Sequence, residues 1–150
     1  MATMQTSSGD WFVRPAPGVV RVHLDHLRDP VGRFDLPAME RELRGDVALA
    51  SEGHSAMTLV KYPDLRVVLI FFRSGGSLAE SSTDARISLQ TLRGHLELRL
   101  PDGPIDIPAG HLVTLEGGTG FGVRAPTESA LLLTLSWPSN ASRPETAPDV

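Results

Sequence analysis

Five histidines, a pair of adjacent serines and one glycine-rich run are the parts of this sequence with the plainest chemical reach. His23 and His26, in "HLDH", stand three residues apart, a spacing that on a helix would set both imidazoles on one face as a metal pair. Their segment also reads partly as strand, so solvated surface histidine is the preferred reading. His54 falls in the polar stretch "SEGHSA" and is expected to be exposed. His95 opens a strand on the polar side of its alternation, where a pocket role stays open. His111 follows Gly110 in a turn and reads as structural. Ser81 and Ser82 sit in no Gly-x-Ser-x-Gly elbow and have no foreseeable His–Asp pair, so nucleophilic catalysis has no signature. "EGGTGFG", residues 116–122, has the glycines of a phosphate loop but lacks the lysine and a following helix, and is expected to join two strands. Cysteine is absent, which excludes disulfides, thiolate metal sites and cysteine nucleophiles.

The elements that must carry these residues are mostly strands. From Ala56 onward, "AMTLVKY", "LRVVLIFFR", "ARISLQTLR", "HLELRL", "GPIDIP", "HLVTLE", "FGVRA" and "SALLLTLSW" follow one another, each bounded by Pro, Gly, Asp or Ser clusters. In "HLELRL", Leu96, Leu98 and Leu100 alternate with His95, Glu97 and Arg99, which describes a strand with one buried face. Eight short strands with turns at this density predict an antiparallel sandwich or barrel. Upstream, "DLPAMERELRG" predicts a helix over 36–44. Asp35 can cap its free N–H groups, Pro37 suits the first turn, and Leu36, Met39 and Leu43 share a face. Gly45 suits the stop, and a shorter β-prone run covers Val19 to Leu24. The expected organisation is a flexible N-terminus (1–10), an arm with the short strand and the helix (11–55), a barrel (56–137) and a disordered Pro/Ser/Ala-rich tail (138–150).

Bulk properties narrow the partners. At 150 residues the chain fits one domain with a real core. A net charge of −4 and a pI near 5.7, with no basic run, give no reason to expect nucleic acid or an anionic membrane as partner. The longest apolar run, "VVLIFF", is far too short to span a bilayer, and "MATMQTSSGDWFV" lacks the pattern of a secretory signal. A cytoplasmic protein is the expectation.

Two stretches of this chain resemble the motifs of the cupin superfamily, small double-sheet jelly-roll barrels. The first motif runs from Gly75 to Gly94, and its spacing places the metal-ligand positions at Ser81, Thr83 and Ile87. The second runs from Gly110 through Gly118, with Glu116 in place of proline, Phe121 in place of histidine and Ala125 in place of asparagine. The resemblance covers roughly Ala56 to Trp137 and implies an all-β, RmlC-like barrel with the N-terminal helix packed on it. It also implies, for family members, three histidines and a glutamate around a divalent metal that supports oxygenase or isomerase chemistry. None of the four is present here. Neutral hydroxyls are poor ligands for transition metals, and isoleucine and phenylalanine cannot ligate at all.

The resulting expectation is a metal-free cupin with no cofactor. It would bind a small, largely apolar molecule in the barrel through Ser81, Thr83, Ile87 and Phe121, or serve as a structural or regulatory module. Gln90 could add an amide, although strict alternation from Ile87 sends it to the opposite face. A homodimer is expected from the resemblance. Two rivals remain: a metal-dependent dioxygenase or isomerase with non-standard ligands such as Glu80, His95 and His111, and an interaction domain that docks a partner on an exposed apolar face.

Overall fold

A computed structural model describes residues 20–22 and 30–138 of the chain. Among these residues ten strands form two sheets. In chain order they are β1 (Val20–Val22), β2 (His54–Tyr62), β3 (Leu65–Phe72), β4 (Ser77–Ser81), β5 (Arg86–Arg93), β6 (His95–Leu100), β7 (Gly103–Pro108), β8 (Leu112–Leu115), β9 (Phe121–Arg124) and β10 (Ser129–Ser136). Among the described residues two helices, α1 (Leu36–Arg44) and α2 (Val47–Glu52), precede β2. The larger sheet has the order β1-β2-β3-β10-β5-β8 and the smaller β4-β9-β6-β7. Every pairing is antiparallel except that of β1 with β2. The expected arm therefore lends a parallel edge strand to the barrel's larger sheet.

α1 forms where the sequence places it. The Asp35 carboxylate accepts the Ala38 N–H at 3.1 Å, Pro37 occupies the first turn, and the Gly45 N–H closes the C-terminus on the Glu42 carbonyl. Its apolar stripe, with Met39 and the fully buried Leu43, lies on Met57, Leu59, Leu69 and Phe71 of β2 and β3. That contact explains the unbroken apolar run "VVLIFF". Leu69 and Phe71 face the helix while Val68, Ile70 and Phe72 face the barrel interior, so this strand is buried on both sides. A bulge in β2 between Thr58 and Val60 sets one extra residue, Leu59, opposite β3 and shifts the strand's alternation.

The interior is closed by side chains from both sheets. Val68, Ile70, Phe72, Ile87, Leu89, Leu131, Leu133 and Leu135 meet Leu78, Leu96, Leu98, Ile107 and Val123. The motif glycines Gly75, Gly94, Gly110 and Gly118 all have positive φ, between 80° and 88°. Gly94 is the most constrained, because a Cβ there would also collide with the Glu128 carbonyl and the Ser129 hydroxyl.

Two elements escape the sequence reading. β4, "SLAES", carries a single large apolar side chain and shows no alternation that would mark it as a strand. α2 is only six residues long and gives too few turns for a periodic signal. No helix among the described residues is long and apolar enough to cross a membrane.

Candidate functional site

One end of the barrel gathers the C-terminal ends of β4, β8 and β10, the starts of β5 and β9, and the β2–β3 turn. The loops 82–85 and 116–120 lie over it and are joined by the Gly118 N–H donating to the Thr83 carbonyl at 2.7 Å. The motif positions converge on this mouth. Ser81 and Phe121 are cross-strand partners, and Ser81, Ile87 and Phe121 are 7%, 3% and 1% exposed. Ile87 and Phe121 belong to the continuous apolar core. The Ser81 hydroxyl is buried without a protein hydrogen-bond partner among the described residues. Thr83 differs: it lies in the loop, half-buried, and its Oγ1 accepts the Ala85 N–H at 3.2 Å. That threonine shapes a turn and is not part of a lumen wall.

Gln90 faces the outside of the larger sheet. Ile87, Leu89 and Thr91 take the inner positions of β5, so period-two alternation turns Gln90 outward between Leu112 and Leu132. Its place among pocket residues is corrected accordingly.

The alternative donors do not come together. Glu80 is exposed beside a shallow cleft of about 150 Å³ shared with Arg99, Leu100 and Gly122. His95 lies on the polar face of β6, opposite the inward Leu96 and Leu98, with its Nε2 3.3 Å from Asp106 of β7. That placement takes it out of any lumen role. His111 is exposed in the turn between β7 and β8. No group of three His, Cys, Asp or Glu side chains capable of holding a metal occurs among the described residues. The donor set at the motif positions is one buried hydroxyl, one hydroxyl used in a turn, an isoleucine and a phenylalanine. It does not fit the divalent metal of metal-binding cupins.

His54 is also corrected. It is the first residue of β2, half-buried, with its ring 6.1 Å from that of Phe72, which is its cross-strand partner. Burial pushes its pKa below the ordinary histidine value, against the opposing pull of Glu52. Gly53 and Gly76 pack backbone against backbone here, which turns the "SEGHSA" stretch into the barrel rather than away from it. His23 and His26 lie outside the described residues.

The residues that do assemble at the mouth were not legible as a group. The Trp137 indole N–H donates to Asp84 Oδ1 at 3.1 Å, and its backbone N–H donates to the Asp64 carbonyl at 3.0 Å. The Arg66 guanidinium lies over the Trp137 ring, 5.3 Å from its centroid. Arg66 is half-buried with a buried Nε that finds no partner, and desolvation draws its pKa below the ordinary arginine value. Arg86 pairs with Glu116 at 3.4 Å. Together Asp64, Asp84, Arg86, Ser136 and Trp137 line a cleft of about 430 Å³ outside the packed interior. One signal was available in advance. Alternation from Phe72, Ile70 and Val68 sends Arg66 inward, and an inward charge near a strand end marks a barrel opening.

Double-sheet topology, packed interior and motif glycines together define a jelly-roll barrel, and comparison with solved structures gives its kind. A conserved protein of unknown function from Streptococcus pyogenes matches with a TM-score of 0.56 and 18% identity, over 59% of this chain and 77% of the other. A cupin superfamily protein from Desulfitobacterium hafniense matches at 0.55 and 15%, over 57% and 78%. A salicylate 1,2-dioxygenase from Pseudaminobacter salicylatoxidans matches at 0.63 and 18%, over 71% of this chain but only 35% of the enzyme. No protein-family model and no curated protein sequence matches the chain. The fold is that of the cupin superfamily. Structures sharing it include enzymes and proteins of unknown function.

Proposed function

We propose that this chain is a metal-free cupin module that works by binding, without metal chemistry at the barrel's centre. The observation that carries the reading is the burial of Ile87 and Phe121 in the apolar core at two of the seats that hold metal ligands in metal-binding cupins. Replacing these groups by donors would leave polar atoms in a close-packed interior, so the sequence has committed the space to packing. The filled interior supports a structural or regulatory module over an apolar ligand held inside the barrel. Among the described residues the exposed large apolar side chains are Val31, Tyr62, Ile105 and Leu112, on different segments of the chain.

The test is metal retention. Purified protein is incubated with Fe, Mn, Ni or Zn, desalted and analysed by mass spectrometry for bound metal. The expected result is far less than one ion per chain. Near-stoichiometric metal would overturn the metal-free reading, and its loss on combined E80A, H95A and H111A substitution would assign it to those three side chains.

A further inference from the structure

We propose that the cleft at the barrel mouth binds a small organic cation, with a substituted ammonium or guanidinium head against Trp137 and the carboxylates of Asp64 and Asp84. Its volume, about 430 Å³, falls in the range of small-molecule sites. The wall is held in place before any ligand arrives. Trp137 is fixed through its indole N–H on Asp84 and its backbone N–H on Asp64, so little ordering cost remains for binding. Gly117 has no room for a Cβ against the Asp84 carbonyl, which keeps the two mouth loops in contact on the other side.

The electrostatics select the sign of the ligand. The carboxylates of Asp64 and Asp84 both line the cleft and are exposed, and Asp84 Oδ1 accepts the indole N–H. Arg86, in the cleft's lining, pairs with Glu116 at 3.4 Å, and the guanidinium of Arg66 lies over the Trp137 ring, so two carboxylates of the cleft and Glu116 stand against two guanidiniums. An anion entering here would meet two carboxylates. A cation meets those carboxylates and an indole, the aromatic ring with the strongest attraction for positive charge. Arg66 makes this kind of contact with the same ring, so a ligand's cationic head has to share the indole with it. The cleft lies outside the packed interior, so this proposal and the metal-free reading stand or fall separately.

The chain has two tryptophans, and a Trp11→Phe background leaves Trp137 as the sole reporter. Choline and agmatine are titrated against its fluorescence, with 3,3-dimethylbutan-1-ol as the uncharged shape mimic of choline and benzoate as the anionic control. The expected result is saturable change with choline or agmatine, and at least about tenfold weaker binding of the neutral mimic. Asp64→Asn and Asp84→Asn should each weaken the cation severalfold while leaving the melting temperature near that of the parent, since asparagine retains the acceptor for the indole. No saturable response to either cation, equal affinity for the neutral mimic, or preference for benzoate would overturn the proposal.

Discussion

Glu40 of α1 and Arg93 at the end of β5, far apart in sequence, meet at 2.8 Å, and only one of them is buried. Glu40 has 8% of its side chain exposed, whereas Arg93 has 52%. The hydrogen bond and charge of Glu40 raise the Arg93 pKa above its ordinary value.

The asymmetry makes the two truncations unequal. Arg93→Ala strands a buried carboxylate and should be the more destabilising change. Glu40→Ala leaves Arg93 in water and should cost less. Urea unfolding of both variants checks the order. Equal losses, or a larger loss for Glu40→Ala, would show that the pair does not fasten the helix as described.

Phe121 is 1% exposed within the apolar core, and its removal should behave as a core deletion. Phe121→Ala is expected to cost about 3–5 kcal/mol, and Ile87→Val about 1 kcal/mol. Chemical denaturation measures both. A neutral Phe121→Ala would mean that the interior near the mouth is open enough to hold a guest.

His54 links stability to pH. Its folded-state pKa is lowered by burial, so below about 6.5 the unfolded chain takes up a proton that the folded chain resists. The stabilisation is complete above that value and is lost as pH falls through the window down to the folded pKa. Melting temperatures from about pH 7.5 to about pH 5.5 should therefore decline more steeply in the parent than in His54→Gln. Parallel profiles would place the ring in solvent.

The legibility of the fold tracks the strength of local signals. β6 and β7 match their expected bounds because Gly94, the "PDG" turn and strict alternation each mark them independently. α1 matches for the same reason, with Asp35 and Gly45 acting at its ends. β4 lacks alternation and was missed. Ile87 and Phe121, at positions spaced from the turn glycines, lie in the apolar core. Thr83, at another such position, lies past the end of β4 in a loop, which the spacing alone does not reveal. The Trp137–Asp84 contact joins positions 53 apart through side chains that carry no periodic signal, and only the folded chain displays it.

Among the described residues the larger sheet closes on one side with the four-residue β8. So short an edge offers a neighbouring molecule few main-chain donors and acceptors to zip onto. On that margin, a chain this rich in strand gives its own copies little to add to in the manner of a fibre.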